Sequence, residues 1–180
     1  MTLSNLFGYL WADLLRISPS NSSLFFLILR LFHPRFLPVL LIRLARYLNC
    51  HRVLRFLSPI FTWLNVFIFG IEVTAKCDIG PGLMLPHTFG TVVGANKIGA
   101  NATLFQGVTI GASSLDMYFE RDTRPVLGCN VIVGAGAKVL GNIYVGDNVT
   151  IGANSVVIKS VSDGLLVAGV PAKILRKVDE

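Results

Sequence analysis

The sequence predicts a mainly β protein, in which a parallel β-helix of hexapeptide repeats follows a helical region. Two observations support this fold: an aliphatic residue recurs every six positions late in the chain, and charge divides the chain near residue 71. The first 71 residues contain seven arginines and one acid, whereas the rest contain nine basic and nine acidic residues. Hydrophobic residues make up 53% of the 180, enough for a core, which excludes a disordered chain. Because the second part is neutral, we expect no nucleic-acid partner.

The first part, residues 1–70, is predicted to be helical, arginine-rich and apolar. Apolar residues at three- and four-residue spacing indicate three helices, over about residues 24–32, 38–48 and 52–69. In the second of these, Arg43 and Arg46 are expected on one side and a leucine stripe on the other. Two interpretations of the region stay open. It packs on the main domain or on sister subunits, or it docks on an anionic membrane surface.

The expected cellular location follows from three patterns that the sequence does not show: paired cysteines, a signal peptide and a spanning helix. Cys50, Cys77 and Cys129 lie far apart without a C-x-x-C pair, so a reducing cytoplasm is the default expectation. The N-terminus does not have the pattern of a signal peptide. The longest charge-free apolar stretch, residues 56–71, is shorter than the roughly 20 residues of a spanning helix. We therefore expect a cytoplasmic protein, with peripheral contact at the inner membrane face as the membrane alternative.

The second part, residues 71–165, carries the six-residue period. It is clearest at Leu127, Val133, Val139, Val145, Ile151 and Val157. A period of six fits neither a helix nor a hairpin but is typical of a β-helix, in which three short strands make one triangular coil. Asparagines are expected at the corners because they tolerate a left-handed backbone. Residues 166–180 form a C-terminal tail with a Gly-Val-Pro-Ala-Lys motif.

Two interruptions of the period indicate function. The step from Leu85 to Ile98 is 13 residues instead of 12, so the chain bulges around His87. A polar excursion, loop 112–125, separates Ile110 from Leu127. Loops on a rigid scaffold usually carry function, and histidine is the natural general base near neutral pH. From the residues alone, a catalytic and a structural His87 are equal alternatives.

Several runs together resemble the serine acetyltransferase branch of the hexapeptide-repeat acyltransferases, over about residues 71–177. They are Ile79-Gly-Pro-Gly-Leu-Met-Leu-Pro-His87, Gln106-Gly-Val-Thr-Ile-Gly111, Val133-Gly-Ala-Gly-Ala-Lys-Val-Leu-Gly-Asn142 and Ala168-Gly-Val-Pro-Ala-Lys173. The resemblance implies a left-handed β-helix that assembles as homotrimers, with pairing of two trimers as a further expectation. It also implies that acetyl-CoA is the co-substrate and binds in grooves between adjacent subunits.

The resemblance assigns roles residue by residue. His87 matches the base that removes the proton of the acceptor hydroxyl, and Glu72 stands where the family has an aspartate that orients this histidine. Backbone amides near Gly111 are expected to polarise the thioester carbonyl. The remaining positions are assigned to the cofactor: Ala135 and Ala153 to the pantetheine arm, and Lys173 and Arg176 to the nucleotide phosphates. No metal is expected, because a histidine-rich site needs several histidines and residues 72–180 contain only His87.

The departures from the family direct the prediction of the acceptor. Pro86 replaces an aspartate that helps to hold the amino acid, and Thr123-Arg124 replaces an Arg-His pair, which leaves Arg124 as the candidate acceptor contact. The helical region is short, and the tail that binds cysteine synthase is missing, so this partner is not expected. These features resemble short members from polysaccharide biosynthesis. We therefore expect an O-acetyltransferase acting on a sugar or glycan precursor, with serine O-acetyltransferase and a non-catalytic β-helix scaffold as the alternatives.

Overall fold

A computed structural model describes residues 2–18 and 30–178 of the chain. Fourteen strands follow the helical region within these residues: β1 Ile71–Val73, β2 Asp78–Ile79, β3 Thr91–Val93, β4 Lys97–Ile98, β5 Thr103–Leu104, β6 Thr109–Gly111, β7 Val126–Leu127, β8 Ile132–Val133, β9 Lys138–Leu140, β10 Tyr144–Val145, β11 Thr150–Ile151, β12 Val156–Val157, β13 Leu165–Gly169 and β14 Ala172–Lys177.

The strands form three sheets that are the faces of a prism. The strand orders are β1-β3-β6-β9-β12, β10-β7-β4-β2 and β14-β13-β11-β8-β5. All pairs are parallel except β13 and β14, which close the end of the prism as an antiparallel hairpin. Each strand therefore pairs with the equivalent strand one coil away, and the predicted β-helix is confirmed.

The core of the prism is the stack of aliphatic residues that the six-residue period identified. In one column, Ile79 pairs with Ile98, then Leu127 and then Val145, and all four side chains are buried. Positive φ angles at Asn101, Asn130, Asn148 and Asn154 turn the corners, as expected. At the remaining expected corner, Asn142, the left-handed residue is the neighbouring Gly141, which adopts φ 92° without a Cβ penalty.

The helical region contains α1 Leu3–Arg16, α2 Leu37–Cys50, a 3₁₀ turn Arg55–Leu57 and α3 Ser58–Phe69. The sequence did not predict α1, whereas α2 and α3 match the second and third expected helices. Most of the first expected helix, 24–32, lies outside the described residues. Pro59 lies in the first turn of α3, where its missing N–H costs little, so the third helix begins beside this proline. Among residues 2–18 and 30–178, no helix is long and apolar enough to cross a bilayer.

The sequence did not predict the burial of one side chain of α2. Arg43 and Arg46 were expected on one side of the helix, and both contact the first coil, but Arg43 is 2% exposed and forms an ion pair with Asp13 of α1. Its guanidinium also donates to the backbone carbonyls of Ile79 and Gly80 in the first coil. Its burial was not predicted because every partner of Arg43 is distant in sequence. These contacts fasten α1 and α2 to the end of the prism.

Candidate active-site edge of the β-helix

The turn that carries His87 is an enlarged corner of the prism. The step from Leu85 to Val93 is eight residues where the regular step between repeats is six, and the extra residues enlarge the turn 86–90, on which His87 is exposed. Two hydrogen bonds join this turn to the end of α3. The Thr88 hydroxyl donates to the carbonyl of Phe69 (2.7 Å), and the Gly90 N–H donates to the carbonyl of Gly70 (2.9 Å). The His87 side chain is exposed, and its turn is fixed by these hydrogen bonds to the end of α3.

An open cleft of about 800 Å³ surrounds His87. Gln106 from the next coil lines it, and so do His33 and Arg35 from the segment before α2. Sequence reasoning did not assign these last two residues a role, because they precede the repeats and fit no periodic pattern. The only signal was their proximity to each other around a proline. The cleft thus combines an imidazole with a second histidine and a cation.

The corner of His87 continues as one edge along the prism. Three backbone hydrogen bonds connect successive coils there: Gly107 N–H to the Phe89 carbonyl (3.0 Å), Gly136 N–H to the Gln106 carbonyl (2.8 Å) and Asn154 N–H to the Ala135 carbonyl (2.8 Å). Ala135 and Ala153 therefore lie on the same edge as His87. Their side chains are small, so an extended ligand along this edge would have close access to the backbone.

The edge ends at the hairpin of β13 and β14. The Gly169 N–H donates to the hydroxyl of Ser155 (3.1 Å), which joins the hairpin to the last full coil. At this end of the prism Lys173 lines a cleft of about 440 Å³ together with Lys159, a cation that sequence reasoning did not single out. Lys159 follows β12 and therefore lies at the next corner of the prism, not on the edge of His87. The Arg176 guanidinium instead donates to the carbonyls of Lys177 and Val178 in its own tail.

A second cleft, of about 500 Å³, lies on the face formed by β1, β3 and β6. Glu72, Gly111 and Arg124 line it, whereas His87 does not. Glu72 points outward from β1, opposite Val92, and no hydrogen bond or ion pair with His87 is present in the described part of the chain. Space for a ligand is open at Gly111, because a Cβ added there meets nothing within 4 Å. Within a single chain, the expected base His87 therefore lies in a different cleft from Gly111, the expected oxyanion donor, and Arg124, the expected acceptor contact.

Loop 112–125 is fastened over the second cleft by Arg124. Its guanidinium pairs with Asp116 (2.7 Å), donates to the carbonyl of Gly94 (2.7 Å) and lies 4.1 Å from the centre of the Phe119 ring. Desolvation raises the pKa of Asp116, but hydrogen bonds from Arg124 and from the N–H groups of Glu120 and Tyr118 outweigh it and lower this pKa below its ordinary value. The nitrogens of Arg124 are engaged within the chain, and its role as an acceptor contact stays a prediction.

The chemistry that this surface supports is proton transfer and acyl transfer. Within the described ranges there is no group of three or more His, Cys, Asp or Glu side chains placed to hold a metal ion. Burial raises the pKa of the Cys77 thiol to about 12, which keeps it protonated and unsuited to act as a nucleophile. An exposed imidazole beside an open groove is suited to take a proton from a hydroxyl that attacks a bound acyl donor.

The chain is similar to known proteins in both sequence and fold. Residues 124–159 match the family model described as bacterial transferase hexapeptide (six repeats). The chain is 40% identical, over 148 residues, to a serine acetyltransferase from Helicobacter pylori strain J99, covering 82% of this chain and 84% of that one. A structure of Neisseria gonorrhoeae serine acetyltransferase in complex with serine superposes with a TM-score of 0.83 at 30% identity, covering 97% and 70%. A Brucella abortus S19 serine acetyltransferase in complex with coenzyme A gives 0.84 at 31%, covering 97% and 69%.

These relatives correct the expected acceptor. The prediction of a sugar or glycan acceptor, and with it of polysaccharide biosynthesis, was wrong, since the relatives and structural neighbours are serine acetyltransferases. The prediction rested on the replacements at Pro86 and Thr123. It did not consider Arg35, which comes from outside the repeats and lines the cleft of His87.

Proposed function

Because this chain belongs to the serine acetyltransferase family of hexapeptide-repeat acyltransferases, with its left-handed β-helix, we propose that its acceptor is the hydroxyl group of L-serine. The chain is an acyltransferase, and acetyl-CoA is its co-substrate. The products of the proposed reaction are O-acetylserine and free CoA. The observation that carries the proposal is that an exposed His87 and Arg35 line the same open cleft.

The proposed chemistry needs one base. His87 takes the proton of the serine hydroxyl while the oxygen attacks the acetyl carbonyl, which forms the new C–O bond. The tetrahedral intermediate then collapses, the C–S bond breaks, and the imidazolium returns the proton to the sulfur of CoA. A hydroxyl is a weak nucleophile at neutral pH, so a base within hydrogen-bond reach is essential.

Arg35 supports an amino-acid acceptor. A guanidinium binds a carboxylate with two parallel hydrogen bonds, which fixes orientation as well as adding affinity. We assign Arg35 to the serine carboxylate, because it lines the cleft of His87 and supplies a cation in place of the family arginine that is replaced at Thr123. In this proposal a cation outside the repeats recognises the carboxylate, which is a departure from the family pattern with its Arg-His pair.

The proposed path of acetyl-CoA follows the edge below His87. Ala135 and Ala153 leave room for the pantetheine arm, and Lys173 offers a cation to the phosphates at the hairpin end. The cofactor then extends along successive coils, with its thioester at the end nearest His87.

We also propose a homotrimer. In one chain, Gly111 and Arg124 lie in a different cleft from His87. A groove between adjacent subunits joins the His87 edge of one subunit to the Gly111 cleft of the next. This arrangement brings the base and the oxyanion donor to one thioester.

The test measures acetyl transfer directly. Consumption of the thioester is followed in the ultraviolet with L-serine, L-serine methyl ester and a hexose as acceptors, and mass spectrometry identifies the product. We expect turnover with L-serine, and a loss for the methyl ester that matches the loss for Arg35→Met with L-serine. Absence of turnover with L-serine, in protein shown to bind acetyl-CoA, would refute the proposal. A methyl ester as good as serine would refute the role of Arg35 alone.

A further inference from the structure

The polar and apolar faces of helix α3 are exchanged relative to those of an ordinary surface helix. Its polar residues face inward: the Ser58 hydroxyl donates to the carbonyl of Ala45 (2.8 Å), and the Asn65 side-chain amide donates to the carbonyl of Pro38 (3.1 Å). Both side chains are buried against α2. A helix that packs on a water-soluble core normally presents the opposite pattern, with apolar residues inside. The sequence of α3 therefore places its apolar residues on the outside.

The outward side of α3 is a continuous apolar stripe. Ile60, Trp63 and Phe67 follow one another at helical spacing and are 49%, 64% and 81% exposed. The stripe continues into the preceding turn, where Val53 and Phe56 are 81% and 74% exposed. Large exposed apolar patches are rare on proteins that contact only water, and they mark surfaces that something else covers. We call this surface, from Val53 to Phe67, the α3 stripe.

The charged residues of the helical region that flank the α3 stripe are basic, whereas Glu72 of β1 lines a cleft together with Arg55 and Trp63. Arg52 and Arg55 are exposed beside its first residues. The only acid in the first 71 residues is Asp13, which is buried and paired with Arg43. The solvent-exposed surface of the helical region is therefore basic and apolar, and no carboxylate of this region contributes to it.

We propose that the α3 stripe docks on the surface of an anionic lipid bilayer, with α3 lying in the interface. Apolar and aromatic side chains enter the acyl boundary while neighbouring arginines meet the lipid phosphates, which is the pattern of interfacial helices. With 12 residues, α3 is about 18 Å long, which suits a helix parallel to the membrane. A second copy of the chain fits less well. An isologous contact would bring the same arginines together, and the helical region itself has no free acid to pair with them. A heterologous contact, as in a trimer, would have to use Glu72, which lines a cleft with Arg55 and Trp63, and the sedimentation experiment below tests it.

The test uses the full chain and two kinds of vesicle. Flotation with pure phosphatidylcholine and with an equal mixture of phosphatidylcholine and phosphatidylglycerol measures the bound fraction. We expect binding to the mixed vesicles, and Trp63→Ser or Phe67→Ser should weaken it about tenfold. Tyr144→Ser, which removes a half-exposed aromatic residue from the β-helix, is the matched control and should bind as the unaltered chain does.

The charge and the depth of insertion are tested separately. Arg52→Gln combined with Arg55→Gln should remove about tenfold of the preference for anionic vesicles, whereas Lys97→Gln on β4 should not. In a Trp11→Phe variant, Trp63 is the only tryptophan, and its fluorescence should shift to the blue with anionic vesicles and be quenched by brominated lipid.

Two outcomes would overturn the inference. The first is equal binding, or no binding, to anionic and neutral vesicles. The second is a fall in assembly mass for Trp63→Ser in sedimentation, which would show that a second copy covers the α3 stripe. Neither outcome touches the proposed acetyl transfer, because L-serine turnover is measured without vesicles.

Discussion

Asp13 and Arg43 form a solvent-excluded bidentate ion pair where the helical region meets the β-helix. The Arg43 Nε and Nη2 atoms lie 2.8 and 2.9 Å from the two carboxylate oxygens of Asp13. The same carboxylate accepts the N–H of Leu83 (2.8 Å), and Arg43 donates to the carbonyls of Ile79 and Gly80. Because Leu83 lies four residues before His87, this pair ties α1 and α2 to the segment that leads into the candidate site.

Breaking the pair from one side should be costly. Asp13→Ala leaves the Arg43 charge buried without its partner, so the free energy of unfolding should fall by about 3–5 kcal/mol. Asp13→Leu with Arg43→Met removes both charges and should recover only part of this loss, because the Leu83 N–H and the carbonyls of Ile79 and Gly80 then lack these partners. Chemical denaturation measures both variants. A single variant as stable as the unaltered chain would show that water or another group replaces the carboxylate.

The role of His87 is tested together with Glu72. His87→Ala should lower kcat by at least about a hundredfold if the imidazole is the base. If Glu72 orients that imidazole, Glu72→Gln should lower kcat while leaving the KM for acetyl-CoA unchanged, and the double variant should be no slower than His87→Ala. Steady-state kinetics of the three variants decide the question. An unchanged kcat in Glu72→Gln would exclude the pair, and an active His87→Ala would return His87 to a structural role.

Thr88 is predicted to be a positioning residue of the His87 turn. Its hydroxyl satisfies the carbonyl of Phe69, one of the last four carbonyls of α3, which have no partner within the helix. Thr88→Val should release the turn and lower kcat about tenfold, with a loss of stability of only about 1 kcal/mol. Thr88→Ser keeps the hydroxyl and should restore kcat. If the valine and serine variants have the same kcat, the hydrogen bond does not position His87.

The ladder of corner asparagines is predicted to stabilise the prism. The Asn101 amide donates to Asn130 (3.2 Å), the Asn130 amide donates to Asn148 (2.9 Å), and Asn130 has φ 57°. Asn130→Ala loses both hydrogen bonds and adds backbone strain, so we expect a loss of about 2–3 kcal/mol. Asn130→Gly loses the hydrogen bonds without the strain and should be about 1 kcal/mol less harmful. Equal losses in the two variants would mean that backbone strain contributes nothing.

The sequence predicted the repeats better than the contacts between distant segments. The column of Ile98, Leu127 and Val145 follows from a period of six, because each coil repeats the same local environment. The burial of Arg43 was missed because its carboxylate comes from α1 and its carbonyl acceptors come from the first coil. The same reason hid Arg35, which reaches the cleft of His87 only through the packing of the helical region. Local periodicity carries no information about such contacts.

Loop 112–125 should depend on pH through Asp116. The carboxylate accepts hydrogen bonds from Arg124 and from the N–H groups of Tyr118 and Glu120, so the folded form holds its pKa below the ordinary value of about 3.9. A lowered pKa contributes stability that is fully present above the ordinary value and is lost as the pH falls through the folded value. We therefore expect the loop to open below about pH 4. Hydrogen exchange of the loop at pH 5 and pH 3, corrected for intrinsic rates, measures this opening.

The substitution Asp116→Asn imitates, at neutral pH, the uncharged form that Asp116 adopts in acid. Asp116→Asn keeps the size of the side chain but removes the charge that pairs with Arg124, so tryptic cleavage after Arg121 should be severalfold faster. Asp122→Asn removes an exposed carboxylate of the same loop and should leave the cleavage rate unchanged. High salt should reduce the difference between Asp116→Asn and the unaltered chain only slightly, because the Asp116–Arg124 pair is mostly shielded from water. Equal cleavage rates in Asp116→Asn and Asp122→Asn would show that the stacking of Arg124 on Phe119 holds the loop without the ion pair.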